Sequence, residues 1–503
     1  MFHVKHLRLA TLRALALTAL VTVASGCAVT SRDIVTGQKR GFGYTWQQQV
    51  QIGRESDPQI VAQFGKYDQR TLDAYVDGIG QRLLSVSHLR RADASAEVRN
   101  TAFTFRVLDS PVVNAFALPG GYIYVTRGLL AHVENEAQLA VVIGHEIAHV
   151  ARQHSARQAF EAQRSQVGLI AGALLGQAVL GGGAAENILN VGGQGLQLLQ
   201  LKYGRDDESE ADALGVEYAT LAGYRAEEGS AFFTSLKRLS QQSGSTLPEF
   251  LSSHPDPGNR EVRVRQLAQE WAARAPTPPT VVRESEYDAQ IDGIVFSENP
   301  RQGFVENGTF YHPDLRFQFT VPQGWQVQND AAQVLLGPQG GGAIAQMTIS
   351  GQTSAEAAAR AVSAQEGATL VNSGATTING LRAYQVVIDG QTQQGVVRAA
   401  YVFVEYGGAV YQLAGMSSQQ GFTQFQNAFS QFFGSFRALT DSRVLAVQPI
   451  RLDLRDVTRA ATFRSLLPSS LPAGVTADEL AIVNQTTLDA QVSAGTRIKT
   501  VKR

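Results

Sequence analysis

Val141-Val142-Ile143-Gly144-His145-Glu146-Ile147-Ala148-His149-Val150 is the stretch from which the rest of the chain is read. On a helix, positions i and i+4 share a face with Cβ atoms about 6 Å apart. His145 and His149 can therefore each aim one ring nitrogen at a single tetrahedral metal. Glu146 is turned about 100° from His145, off the metal and within reach of a water beside it. Zinc brings the pKa of such a water towards about 7. The carboxylate can take its proton during attack on a carbonyl and return it to the leaving amine. The flanking residues are uncharged, so the helix is apolar wherever metal chemistry does not need polarity. The plain alternative is a core helix with two incidental histidines, and two His and a Glu buried without partners are costly.

A catalytic zinc takes three protein ligands and keeps one open position. The best candidate for the third lies in Glu208-Ser209-Glu210-Ala211-Asp212, 59 residues past His149 (208 − 149). Glu208 and Asp212 again stand at i and i+4. Glu208 can coordinate, and Asp212 can accept from the second nitrogen of a ligand His and fix its tautomer. Glu210 is expected on the far side, in solvent. With Asp206 and Asp207, the same residues also read as an acidic, exposed helix start, and spacing does not decide between the two. His154, five residues past His149, is expected on another face at the surface. His132 has no partner that the sequence names, and His88 and His312 have no companions.

The chain has 503 residues, with Lys+Arg 43 against Asp+Glu 44 and a net charge of −1. Two to four domains are expected from this length, and the neutral balance gives no reason to expect nucleic acid as a partner. Lys5, Arg8 and Arg13 precede a short apolar stretch, Ala14 to Ala24, that ends in Ala24-Ser25-Gly26-Cys27. Residues 1–26 read as a lipoprotein signal peptide with Cys27 as the lipidated residue, an ordinary secretory signal being the alternative. The lone Cys excludes an intramolecular disulfide.

Downstream, 27–275 reads as largely helical. Helical spacing runs over Tyr67 to Leu84 and over Glu136 to Arg157, with Asn135 as N-cap. Between these helices Phe103 to Val107 and Tyr122 to Val125 read as short strands. Gln166 to Gln200 is rich in Gly, Ala and Leu and reads as buried helices or as a membrane-facing or gating hairpin. Pro276, Pro278 and Pro279 mark a linker over 276–283. Residues 284–440 alternate in period 2 with helical patches at Ala355 to Gln365 and Gln420 to Phe436, a mixed α/β unit. Residues 444–503 form a third small module, with Thr462-Phe463, Asn484 and Gly495 to Val501 falling where a LysM-like, peptidoglycan-binding unit has them. The alternative is a plain strand-helix cap. The fold class expected is α+β: a mainly helical protease domain with a small sheet, then the mixed domain and the small C-terminal module.

Over residues 45–270 the chain resembles the gluzincin-type zinc metallopeptidase family that includes HtpX, BepA, LoiP and the CAAX prenyl proteases. The resemblance rests on Tyr67 to Leu83, Asn114-Ala115-Phe116-Ala117-Leu118-Pro119-Gly120-Gly121, the His145 motif, Tyr203 through Asp212, and Ala222-Gly223-Tyr224. It implies one Zn2+ per chain on His145, His149 and Glu208, with Glu146 as the base. Ser253-His254-Pro255, followed by Arg260, resembles a segment in which a His approaches the zinc. For His254 this implies a switch or a donor to the oxyanion, against a plain loop His. Asn114 and Ala115 resemble a substrate-docking segment offering backbone to an extended peptide, against a plain edge strand. The implied protein is a periplasmic endopeptidase held at the outer membrane through Cys27, acting on misfolded or stalled envelope proteins. The rivals are an assembly factor for outer-membrane proteins with a latched zinc site, and a cell-wall-binding accessory protein. BepA-like members continue into helical repeats where this chain does not, so their assembly-machinery partners do not transfer directly.

Overall fold

In the computed structural model, which describes residues 29–161, 203–242, 249–255, 259–392 and 395–503, the chain is a mixed α and β protein. Residues 1–28, with Cys27, and the Gln166–Gln200 stretch lie outside the described residues. A hairpin of β1 (Val29–Arg32) and β2 (Lys39–Phe42) leads into α1 (Trp46–Phe64) and α2 (Arg70–Val86). A three-stranded sheet follows, ordered β3 (Thr104–Leu108), β5 (Tyr122–Thr126), β4 (Ala115–Leu118). β3 runs parallel to β5 and β4 antiparallel to it.

After α3 (Arg127–His132) comes α4 (Glu136–Ala151), the helix of both motif histidines, and every one of its residues is buried. Asn135 Oδ1 caps it, accepting from Gln138 N at 3.0 Å. The sequence pattern runs on to Arg157, but the helix stops at Ala151. Gln153 adopts φ 51, and a new helical stretch starts at His154. That left-handed residue turns the chain back on itself.

α5 (Arg205–Leu221) crosses α4 in backbone contact. A Cβ on Gly144 would lie 2.9 Å from Gly215 O, and one on Gly215 would lie 2.7 Å from His145 N. Only glycine at both positions permits this approach. The crossing sits one turn from Asp212, so it brings the acidic stretch of α5 onto the histidine face of α4. α6 (Gly229–Gln242), α7 (Glu249–Ser253) and α8 (Arg260–Arg274) complete this side.

Residues 276–283 are not a free linker. Val281 pairs with Gly223 and Arg225 through backbone bonds of 3.0 Å each, and Ala137 N donates to Val282 O. Nor does the mixed unit begin at 284. α9 (Glu284–Ile291) packs on α2 and α4, and Tyr287, Ile291, Ile294, Val295 and Phe296 belong to the apolar cluster of α4. The period-2 strands come next. β9 (Trp325–Asn329), β10 (Gln333–Pro338), β11 (Ala343–Ser350), β12 (Ala368–Ile378), β13 (Leu381–Thr392), β14 (Gly395–Tyr406) and β15 (Ala409–Ser418) form one antiparallel sheet, in the order β12-β13-β14-β15-β11-β10-β9. The short strands β6 (Phe304–Glu306), β7 (Thr309–His312) and β8 (Phe317–Thr320) form a second sheet with Arg437–Ala438. α10 (Ala355–Ser363) covers one face of the large sheet, and α11 (Phe422–Ser435) lies in the cluster on its other face.

The chain then returns to the first core. Phe296 N donates to Ile450 O at 2.8 Å and Leu452 N to Ile294 O at 2.9 Å. β16 (Arg451–Asp456) pairs antiparallel with β17 (Arg497–Lys502), with α12 (Phe463–Leu466) and α13 (Ala477–Val483) between them in sequence. Leu452, Phe463, Leu480, Ile498 and Val501 join the α4 cluster. Lys499, also buried, donates to the carbonyls of Ala131 and Val133 at 3.2 and 2.6 Å. The β9–β15 sheet is thus carried on an excursion from a core to which the chain returns.

Candidate metal centre

His145, His149, Glu208 and His254 bring one ligand atom each to within 4.8 Å of one another, and all four are buried. His145 Nε2 lies 2.9 Å from His149 Nε2, 3.3 Å from His254 Nδ1 and 3.4 Å from Glu208 Oε2. Glu208 Oε1 lies 3.0 Å from His254 Nδ1 and 3.5 Å from His149 Nε2. Zinc bonds of about 2.0–2.1 Å in a tetrahedron set ligand atoms about 3.3 Å apart, so these separations suit one ion.

The protons make the same point. His145 Nδ1 faces Asp212 Oδ1 at 2.9 Å and donates there, so a neutral His145 has its lone pair on Nε2. His149 Nδ1 faces His154 Nδ1 at 2.7 Å. With that proton on His149, its Nε2 carries a lone pair 2.9 Å from His145 Nε2, and with His145 neutral two lone pairs would meet there. A cation between them resolves this. Both carboxylate oxygens of Glu146, and Glu208 Oε2, are buried without a hydrogen bond among the described residues. Three buried carboxylates, Glu146, Glu208 and Asp212, face one buried guanidinium, Arg260, and a divalent ion balances that charge. The donor set fits zinc.

The electrostatics follow from this crowding. For His145, burial and Arg260 push the pKa down, but Glu208 and Asp212 win and hold it up at about 9. Burial pushes His149 well below its usual range and raises Glu146 from its ordinary value. Burial would raise Glu208 too, yet His254 and His145 hold it well below the ordinary value. Asp212 is likewise lowered, Arg260 and His145 outweighing burial.

His254 follows directly on α7, which lies across the site. Its Nε2 is 3.6 Å from Glu146 Oε1, and its ring stacks on Phe250 at 4.7 Å. Phe250 is buried and its N–H donates to Val113 O at 3.3 Å. Tyr203 stacks on His149 at 3.9 Å. Asn114 and Ala115 are both buried. The backbone of Asn114 is engaged with Thr126, its N–H on Oγ1 and its carbonyl accepting from N and Oγ1. Ala115 pairs in register with Val125.

Two residues stand elsewhere than expected. His154 is not at the surface but fully buried under His149, because the turn at Gln153 folds it back. Glu210 is not free in solvent. It accepts from His154 Nε2, Arg152 Nε and Arg157 Nη1 at 3.2, 2.8 and 3.0 Å. These contacts outweigh burial and lower its pKa. Arg260 was legible only as a neighbour of the His254 segment, yet its Nη2 donates to Asp212 Oδ1 at 2.6 Å and its Nη1 lies 3.4 Å from Glu208 Oε2. His132 and His88 also have partners, Gly128 O at 2.8 Å and Tyr218 Oη at 2.9 Å.

The family model described as "Peptidase family M48" matches residues 73–269, which hold the whole cluster. Residues 73–269 are thus similar to peptidase family M48. Three curated relatives align with this M48 region. A putative beta-barrel assembly-enhancing protease of Vibrio cholerae is 36% identical over 203 residues, 40% of this chain and 40% of that protein. The beta-barrel assembly-enhancing protease of Escherichia coli is 30% identical over 258 residues, 50% of this chain and 48% of that one. The mitochondrial metalloendopeptidase OMA1 of Bos taurus is 34% identical over 169 residues, 32% and 31% of the two chains. This chain thus spans less than half the length of these relatives. Among the described residues no helix is long and apolar enough to cross a membrane.

Proposed function

We propose that the protein is a zinc-dependent endopeptidase that cleaves extended segments of misfolded or stalled cell-envelope proteins. The observation that carries this reading is the pair of imidazole Nε2 atoms 2.9 Å apart, with Glu208 beside them and Glu146 next in sequence to His145. His145, His149 and Glu208 would hold the ion, and when bound it supplies Lewis acidity and lowers the pKa of a water. Glu146, raised by burial, is the group to take a proton from that water and hand it to a leaving amine. Asp212 and Arg260 orient His145 and Glu208. Among the described residues β4 is an edge strand next to α4, which suits a substrate added as a strand, with Ala115 the position to present backbone.

His254 occupies the place a fourth ligand would take, so the state described is a closed form of this enzyme. Its Nδ1 lies 3.0 Å from Glu208 Oε1, and α7 holds Val113 O beside β4. A protein named for beta-barrel assembly supports an envelope setting for this one. Lipidation at Cys27, residence in the periplasm at the outer membrane, and contact with peptidoglycan or assembly machinery belong to the same proposal. The strand-helix-helix-strand order of 451–502 supports a LysM-like unit. Sedimentation with peptidoglycan, with and without residues 444–503, tests it.

The decisive experiment is casein hydrolysis by the chain from residue 28 onward, beside Glu146→Gln and with a chelator. Cleavage that needs Glu146 and returns after chelation only with zinc is the expected result. A zinc-loaded chain that cleaves neither as wild type nor as His254→Ala would refute the endopeptidase reading.

A further inference from the structure

His149 and His145 each need their outer nitrogen held if the inner one is to stay aimed at the cluster. Metal-binding histidines commonly donate that outer N–H to a carboxylate or carbonyl, which fixes both tautomer and ring orientation. For His145 the acceptor is Asp212. For His149 it is another imidazole. His149 Nδ1 meets His154 Nδ1 at 2.7 Å, with ring centroids 4.8 Å apart and planes at 74°. On the far side of that ring, His154 Nε2 faces Glu210 Oε2 at 3.2 Å and Asp207 Oδ1 at 3.6 Å. Two carboxylates therefore call for the His154 proton on Nε2, which makes Nδ1 the acceptor that His149 requires.

Two blander readings fail on the same contacts. A His that only fills core space has no reason to join the outer nitrogen of His149 on one side to a carboxylate on the other, as His154 does. A second cation on His154, Asp207 and Glu210 is disfavoured because the site's charge is already balanced. Arg157 pairs with Asp207 at 2.8 Å and with Glu210 at 3.0 Å, and Arg152 pairs with Glu210 at 2.8 Å. Arg152 is held in turn by both oxygens of the buried Asp33, at 2.7 and 2.8 Å, in the turn after β1. The pieces come from three separate parts of the chain, and all converge on the one ring behind His149.

We propose that His154 is a positioning residue for the metal centre: it accepts the Nδ1 proton of His149, is itself fixed by Glu210, and so keeps His149 Nε2 available to zinc. This rests on the zinc-site reading given above. The test is zinc affinity by chelator competition, with the visible spectrum of the cobalt-substituted protein, on the full chain in detergent. His154→Leu removes the acceptor, and His154→Asn restores one at the position of Nδ1. The Leu variant should bind zinc about 10- to 100-fold more weakly, with a changed cobalt spectrum. The Asn variant should recover most of that loss and the wild-type band positions. Leu within twofold of wild type, or Asn as weak as Leu, would overturn the assignment. Should Leu not fold, Glu210→Ala, at a partly exposed site, should still weaken zinc binding, and unchanged affinity there would overturn it. A wild-type chain that binds no zinc would instead sink the metal-centre reading, a result distinct from equal affinities across the set.

Discussion

Replacing His254 by Ala should make the enzyme faster. The closed form is held by separable contacts: His254 Nδ1 on Glu208 Oε1 at 3.0 Å, the His254 ring on Phe250 at 4.7 Å, and Phe250 N–H on Val113 O at 3.3 Å. A hydrogen bond to a charged group contributes about 1.5–3 kcal/mol. Losing that one alone raises the open population about 10- to 100-fold, each 1.4 kcal/mol being a factor of ten. Observed activity scales with the competent fraction until the open form predominates. The initial rate of zinc-loaded His254→Ala on labelled casein should therefore exceed wild type by about tenfold or more, and His254→Ala with Glu146→Gln should be inert. A rate that falls, with KM unchanged, would refute the latch and leave His254 as a transition-state donor. An unchanged rate would remove it from both roles.

Three further outcomes are expected. Gly215→Ala puts a methyl 2.7 Å from His145 N, a backbone atom that cannot yield. It should cost about 1–3 kcal/mol and lower bound zinc by prising α5 from α4; full zinc content by elemental analysis would contradict this. Lys499→Met leaves carbonyls of Ala131 and Val133 without their donor and should cost about 3 kcal/mol in urea denaturation, a loss under about 1 kcal/mol speaking against docking through this residue. Burial lowers His132 from 6.5 to about 4. The unfolded chain therefore takes up a proton near pH 6.5 that the folded one refuses until about pH 4, and stability falls across that window by about 3 kcal/mol. Melting curves of His132→Asn should lack that part of the decline, and identical curves would exclude His132 as its source.

What the sequence made legible is what a single helix or strand encodes. The i and i+4 spacing of His145 and His149, and of Glu208 and Asp212, needs only helical geometry. Alternation likewise announces strands such as β14 and β15. That α4 and α5 meet at all depends on Gly144 and Gly215, and two glycines in separate helices give no sign of facing each other. The return of the chain to its first core after β15 rests on bonds such as Phe296 to Ile450, between residues with no pattern in common. A sheet inserted into a core and a sheet appended to it therefore read alike in the sequence.

His154 shows where local reasoning turns from incomplete to misleading. Carried forward at 100° per residue, five steps from His149 rotate a side chain well off the metal face, so a surface position is the right inference for an unbroken helix. One residue, Gln153 at φ 51, breaks the helix and redirects the chain. Gln has no particular liking for that region of backbone space, so its identity gave no warning. A signal did exist in the charges. Arg152 and Arg157 flank His154 on α4's sequence side, and Asp207 and Glu210 flank Glu208 on the other, and in the fold these four groups pair. If Glu208 is to reach His149, those acids are drawn to the same end of α4, where His154 stands between them and the ligand ring. The zinc ligands thus carry their own support a few residues away, and the pairing of opposite charges around two motifs was the clue that they share one site.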